Sequence, residues 1–238
     1  VLVYNGELYN YVELKEELRG SYNFKTHTDT EVLLASYIKW GEACLDRFVG
    51  MYGFAIYDRH EEKLFAARDR LGIKPFYYYV KNDQFYFASE IKGLLALGIA
   101  AKPDDSIIFD YLQFGFYDHR PETFFAGISM LRPGEALRFK KGKLDVWRYW
   151  DLVKVRNVPL CDINNPQAVQ EYFRSIVADS IRIHFRSDVP AGVNVSSGID
   201  STSLLFFSEK IMSAPFDIFT MCIPDPEYDE CQFTEQVL

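Results

Sequence analysis

Apolar residues along this chain shift between period two and helical spacing, and that excludes a single uniform architecture. Met51 to Tyr57, Leu64 to Arg68, Phe76 to Val80 and Gln84 to Ala88 are short, aromatic-rich runs in period two, parted by polar turns. Strands with one face wet and one dry pair antiparallel, so this spacing predicts a meander. A later hairpin, Glu135 to Arg148, is predicted to turn at Lys141-Gly142, and Glu90 to Leu97 and Asp105 to Phe114 read as helices. After Asn165 and Pro166, which start a long helix, Val169, Phe173, Ile176, Val177 and Ile181 recur at helical spacing instead. A short strand from Gly192 to Val195, a small-residue turn, a helix from about Ser201 to Ile211 and a strand from Phe216 to Ile223 then follow. That order is a β-α-β crossover, the unit of a parallel sheet.

The first part is therefore α+β, with helices laid on antiparallel sheets, and the second opens a parallel α/β domain. Asp151 to Pro166 has little apolar periodicity, two prolines and three asparagines, which places the boundary there and gives domains 1–150 and 151–238. At the front, Val1-Leu2-Val3 reads as the interior of a strand, followed by the turn residues Asn5-Gly6-Glu7. Asn10 with Glu13 has capping-box spacing for a helix ending at Gly20. Thr28 with Glu31 repeats it for a helix that buries Leu34 and Ile38 and stops near Gly41. Both ends read as cut, since no initiator Met precedes the strand and Phe233 to Leu238 reads as a helix just beginning. The lack of a targeting segment therefore says little.

Composition narrows the function classes. A 48% hydrophobic and 25% charged content is that of a soluble globular protein, and no run approaches a membrane span. A net charge of -8 without a clustered Lys/Arg face argues against a nucleic-acid partner. The four cysteines are too scattered for a disulfide scaffold and form no C-x-x-C pair, so a reducing, cytoplasmic setting fits. Cys44, between apolar neighbours, reads as a buried small hydrophobe.

The densest chemical signal is Ser196-Ser197-Gly198-Ile199-Asp200-Ser201, between the predicted strand and helix. Small residues let backbone N–H groups crowd around an anion, and the helix dipole adds about 0.3 to 1 kcal/mol, so a phosphate fits. The spacing and lysine of a Walker loop are missing. The hexapeptide resembles the S-G-G-x-D-S loop of ATP pyrophosphatases, in which serines and glycine amides hold pyrophosphate and the aspartate, here Asp200, helps hold magnesium. Ser197 stands where that family has its first glycine. If the position needs a left-handed backbone, a serine costs roughly 1 to 2 kcal/mol there. Ser187-Asp188-Val189-Pro190-Ala191-Gly192-Val193 and Pro226-Glu227-Tyr228-Asp229-Glu230 resemble the flanking segments of glutamine-dependent asparagine synthetases.

Asn5-Gly6-Glu7-Leu8-Tyr9-Asn10 is similar to the N-G-E-I-Y-N segment of class II glutamine amidotransferases, the N-terminal-nucleophile glutaminases. The resemblance implies an αββα sandwich, an oxyanion hole made by the Asn5 side chain and the Gly6 amide, and a glutamine contact from Glu7. Thr28-Asp29-Thr30-Glu31 resembles the segment whose aspartate, here Asp29, binds the α-amino group of glutamine. On local grounds alone Asn5-Gly6 is also a hairpin turn and Asp29 a helix-cap neighbour. Arg68 to Pro75 and Ala88 to Lys92 match the same domain and read as structural or as lining the route between sites, with Arg68 and Asp69 an ion pair pinning a loop.

The family nucleophile is a cysteine whose own α-amine acts as base, so it must be the first residue of the mature protein. Val1 is not that residue, and Cys44, Cys161, Cys222 and Cys231 have their amines in peptide bonds. The nucleophile, an arginine clamping the glutamine carboxylate and the aspartate-binding residues are thus expected outside these residues. The resemblance implies asparagine synthesis from aspartate, ATP and magnesium through β-aspartyl-AMP, with ammonia from glutamine. Its partners are then small molecules, and a homodimer is compatible with it. An amidotransferase acting on a sugar acid or a β-lactam precursor, and a catalytically silent binding or regulatory homologue, are the alternatives.

Overall fold

The computed structural model describes residues 1–155, 161–213, 215–225 and 229–237. Two compact units, 1–156 and 157–238, make up the chain. Among the described residues no helix is long and apolar enough to cross a membrane.

In the first unit β1 (Leu2–Leu8), β2 (Gly50–Asp58) and β3 (Lys63–Arg68) join β7 (Glu135–Lys140) and β8 (Lys143–Arg148) in a five-stranded antiparallel sheet. A second antiparallel sheet is ordered β5 (Gln84–Ala88), β4 (Tyr77–Lys81), β6 (Ser129–Met130). The four period-two runs are all strands, yet the meander is split, with two in each sheet.

The break falls at Arg68 and Asp69, both buried. The Arg68 guanidinium donates to the carbonyls of Lys74 at 2.7 Å, Leu131 at 2.9 Å and Gly72 at 2.7 Å. The Asp69 carboxylate accepts from the N–H groups of Tyr52, Leu71, Ile73 and Lys74 at 2.9 to 3.1 Å. They do pin a loop, but through backbone groups and not as the expected ion pair. A buried charge needs several bonds, and the tightly wound 69–75 loop supplies them.

Helices α1 (Tyr11–Glu17) and α2 (Asp29–Trp40) cover one face of the larger sheet, where Leu14, Leu18, Val32 and Leu33 meet Leu8, Tyr52, Phe54 and Phe65. On its other face Ala55, Ala66 and Leu137 pack against Phe76, Tyr78 and Leu131, which closes the two sheets together. Helix α3 (Ile91–Ala96) covers the far side of the second sheet, with Gly93 against Ala88, on the strand face opposite Phe85 and Phe87. The layers run helix, sheet, sheet, helix, as the resemblance implies. Helix α4 (Asp105–Phe114) is capped by Asp104, and the β7–β8 hairpin turns at Lys141 and Gly142, both at positive φ.

Several local expectations fail for identifiable reasons. Asn5-Gly6-Glu7 is no turn but the interior of β1, with Asn5 opposite Gly53, Gly6 opposite Tyr52 and Glu7 opposite Met51. Asn10 does not cap α1. Its side chain donates to Arg47 O and accepts from Val49 N, tying a loop, and the helix ends at Glu17 instead of Gly20. Thr28 accepts from Glu31 N, but the Glu31 carboxylate bonds Lys25 and Thr26, so the capping box is half made. The buried stripe of α2 is Val32, Leu33, Ala35, Ser36 and Tyr37, while Ile38 is exposed and Leu34 only half-buried. The helix does stop at Gly41, at φ +58°.

In the second unit α5 (Pro166–His184) starts at its Asn165 cap, although Phe173 and Ile176 stay exposed and only Ile181 is buried. Strands β9 (Gly192–Asn194) and β10 (Asp217–Phe219) pair in parallel around α6 (Ile199–Ile211), the expected crossover, with β10 shorter than Phe216 to Ile223. Helix α7 (Cys231–Val237) follows. Cys222 and Cys231 form a disulfide, against the expectation of uniformly reduced cysteines. The return from β10 to α7 brings their Cα atoms to 5.3 Å, within the span a disulfide requires. Pro226, Glu227, Tyr228 and Leu238 lie outside the described residues.

Candidate functional site

Strand β1 is the outer strand of its sheet. Val1 N donates to Tyr57 O and Tyr57 N to Val1 O, so the odd-numbered residues of β1 exchange backbone bonds with β2 and the even-numbered ones face away. Leu8 N–H uses that outward direction to reach Asp29 Oδ2 at 2.9 Å. Gly6 N–H turns to the same edge, where no described strand pairs. Gly6 has φ +155°, and a Cβ there would collide with Met51 O and come within 2.7 Å of Tyr52 Cα, so the edge amide depends on glycine.

Asp29, the first residue of α2, also accepts from Tyr4 OH at 2.8 Å through Oδ2. Its Oδ1 takes only a long bond from Thr30 Oγ1 at 3.4 Å, which leaves room for a cationic group. Burial above all, then the Asp29 charge, holds the Tyr4 phenol far above its usual range, so it stays a donor to the carboxylate. Glu7 is exposed, and its carboxylate makes no hydrogen bond or ion pair among the described residues. The Asn5 amide, on the opposite strand face from Tyr4, donates from Nδ2 to Ser89 Oγ at 3.1 Å. Asn5, Gly6 and Glu7 thus follow one another on β1, and Asp29 at the start of α2 bonds the edge of that strand at Leu8.

Sequence reasoning missed Tyr4 and Ser89 as partners of these groups. A strand reading of residues 2–8 places Tyr4 on the same face as Gly6 and Leu8, but the turn reading of Asn5-Gly6 hid that alternation.

Cys44 offers no nucleophile. It is fully buried, and burial pushes its thiol up to about 12. In the folded protein iodoacetamide at about pH 8 should therefore modify the partly exposed Cys161 and spare Cys44, since only the thiolate reacts. Peptide mapping checks this, and rapid modification of Cys44 would contradict its burial.

In the second unit β9 runs into a tightly bonded turn. Ser196 N donates to Ser201 Oγ at 3.0 Å, Ser196 Oγ and Ser201 Oγ lie 2.8 Å apart, and Gly198 N donates to Ser196 Oγ at 3.3 Å. Gly198 is the N-cap, so α6 begins two residues before the expected Ser201, which sits in the first turn and ties the loop together. The first backbone bond of the helix is Thr202 N to Gly198 O, leaving the N–H groups of Ile199, Asp200 and Ser201 at the open end. Ser197 N donates to Glu230 Oε2 at 3.2 Å. Ser197 is not among the residues at positive φ, so the left-handed strain considered for a serine here does not arise.

A family profile for the glutamine amidotransferase domain matches residues 1–150, and one for asparagine synthase matches residues 172–238. The chain belongs to the glutamine-hydrolysing asparagine synthetase family. It is 37% identical over 226 residues to asparagine synthetase [glutamine-hydrolyzing] 3 of Bacillus subtilis, covering 92% of this chain and 36% of that one. It is 36% identical over 210 residues to a putative asparagine synthetase of Methanocaldococcus jannaschii, covering 86% and 39%. Amidase chry2 of Gibberella zeae is 32% identical over 203 residues, covering 85% and 30%. The chain thus spans about a third of the length of these curated relatives. A glutamine phosphoribosylpyrophosphate amidotransferase structure from B. subtilis aligns at TM-score 0.45 and 20% identity, covering 91% of this chain and 45% of that one, too loosely to carry an argument.

The Asp200 carboxylate is exposed and has no hydrogen bond or ion pair among the described residues, beside the open helix end. Magnesium typically takes one or two carboxylates together with substrate phosphates, so this donor set fits it.

Proposed function

We propose that the protein carrying this chain makes asparagine from aspartate and ATP with ammonia taken from glutamine. Residues 1–150 are then the glutaminase domain and residues 151–238 the opening of the ATP-binding domain. One observation carries the reading of the first site: Leu8 N–H and Tyr4 OH hold Asp29 at the same strand edge to which Gly6 N–H turns. The glutamine ammonium group binds Asp29, Glu7 contacts the substrate, and the amide carbonyl lies against Gly6 N–H and the Asn5 side chain. Under thiolate attack that oxygen gains negative charge, and each preorganised donor is worth about 10² to 10³ in rate. In the second site the Ser196, Ser197, Gly198, Ile199, Asp200 and Ser201 turn binds the pyrophosphate portion of ATP, with Asp200 as magnesium ligand. When bound, the metal neutralises charge on the phosphate oxygens. A carboxylate is a poor electrophile until it gains a leaving group, so the aspartate side chain attacks the α-phosphate to give β-aspartyl-AMP and pyrophosphate. Ammonia then displaces AMP.

A second reading is the same frame amidating another carboxylate, and one relative carries a name other than asparagine synthetase. In the sequence, only Ser197 motivates a catalytically silent homologue, and its unstrained backbone weakens that motive.

Asp29→Asn separates the roles. Losing a charge-assisted bond to the ammonium group should raise the KM for glutamine roughly 10- to 100-fold. Asparagine formation from added ammonia should stay near wild type. An unchanged glutamine KM, or an equal loss with ammonia, would remove Asp29 from the glutamine site.

A further inference from the structure

The Ser196–Ser201 turn already holds an anion that belongs to the chain. Ser197 N–H, the first amide of the small-residue turn after Ser196, donates to Glu230 Oε2 at 3.2 Å. Glu230 directly precedes Cys231, which is joined to Cys222 at the far end of the return from β10. Asp229 Oδ1 accepts from Ile223 N at 3.1 Å and Cys231 N at 3.2 Å, so the same return is tied by backbone bonds beside its disulfide. Glu230 O accepts from Thr234 N at 3.0 Å and Thr234 Oγ1 at 3.1 Å, anchoring the residue to α7. The Glu230 backbone is therefore held from both sides while its carboxylate reaches into the turn.

We propose that Glu230 is an internal competitor for the phosphate cradle and that Cys222–Cys231 is a redox latch keeping it in place. This rests on the reading of the turn as a phosphate site. A carboxylate and a phosphate repel each other and want the same N–H donor, so a phosphate enters fully only when Glu230 withdraws. With the latch closed, α7 and Glu230 cannot move away from Ile223 and β10. A dithiol reductant opens it: its first thiolate attacks one sulfur and expels the other as a thiolate, its second thiol then attacks the reductant sulfur of the mixed disulfide and expels the remaining cysteine, and two electrons and two protons pass to Cys222 and Cys231 as the reductant becomes a disulfide. The return then keeps the Asp229 bonds and the long Thr220–Thr234 hydroxyl contact but no covalent tie, and nucleotide binding tightens.

The test is calorimetric titration of inorganic pyrophosphate with magnesium into the full-length protein, air-oxidised or treated with dithiothreitol. Alkylation and mass spectrometry report the state of the peptide bearing Cys222 and Cys231. Reduction should tighten binding roughly tenfold, the range expected for one competing charged hydrogen bond. Glu230→Gln should bind tightly in both states. The double substitution Cys222→Ser, Cys231→Ser should match reduced wild type and ignore dithiothreitol. Equal affinities in the two states of wild type, weaker binding by Glu230→Gln, or free thiols at both positions in the air-oxidised protein would overturn the latch while leaving the phosphate site intact. Absence of pyrophosphate binding in every form would instead overturn the phosphate reading, and the latch with it.

Discussion

Gly6→Ala should destabilise the first unit by about 3 kcal/mol or more and abolish glutamine hydrolysis. The added methyl group meets backbone, namely Met51 O and Tyr52 Cα, and backbone cannot move aside like the end of a flexible side chain. Tyr52 is itself fixed, with its N–H bonded to Asp69 and its ring in the main core. The φ of +155° adds strain for any L side chain. Relief requires β1 to part from β2, which displaces the outward Gly6 N–H and breaks the Leu8 and Tyr4 bonds to Asp29. Denaturant unfolding reads the first effect and glutamate release the second. A variant within about 0.5 kcal/mol of wild type would show that the β1–β2 register is looser than the close approach at Gly6 requires.

Asp200→Asn should lower ATP-pyrophosphate exchange by about 10² or more, the usual scale for removing one charge-stabilising group from a preorganised site. The substitution keeps size and shape at an exposed position in the first turn of α6, so little stability is at stake. It removes the carboxylate that stands in the first turn of α6 beside the open N–H groups of Ile199, Asp200 and Ser201. Magnesium then loses a charged ligand, and the phosphates keep only backbone and hydroxyl donors. Measured exchange near wild type would mean that the metal has no need of Asp200.

Much of the architecture was legible because period-two and helical spacing report directly which faces are dry. All four runs between Met51 and Ala88, the Lys141-Gly142 turn and the β9–α6–β10 crossover follow from spacing and turn chemistry. Spacing does not name partners, however. It cannot say that the chain leaves the first sheet at Arg68, because the cause is the set of backbone groups gathered around Arg68 and Asp69 from Tyr52, Leu131 and the 69–75 loop. Asn5-Gly6 shows the same limit, since its local preference for a turn yields to pairing along the whole of β1. Leu34 and Ile38 misled because apolar residues flank the true stripe of α2 on both sides. The residues grouped at the strand edge were legible only through motif resemblance. Their ties to Tyr4 and Ser89, and that of Ser197 to Glu230, needed coordinates because the partners lie 25, 84 and 33 residues apart. The disulfide was hidden for a related reason: a spacing of nine positions between two cysteines says nothing of how the chain returns.

Whether two separate chemistries reside in the two units is decided most directly by assaying both in the same full-length variants. Asp29→Asn and Asp200→Asn are each tested for glutamate release from glutamine at low concentration and for ATP-pyrophosphate exchange. Asp29→Asn should lose the first and keep the second, and Asp200→Asn should do the reverse. Parallel loss of both activities in either variant would contradict the two-site assignment.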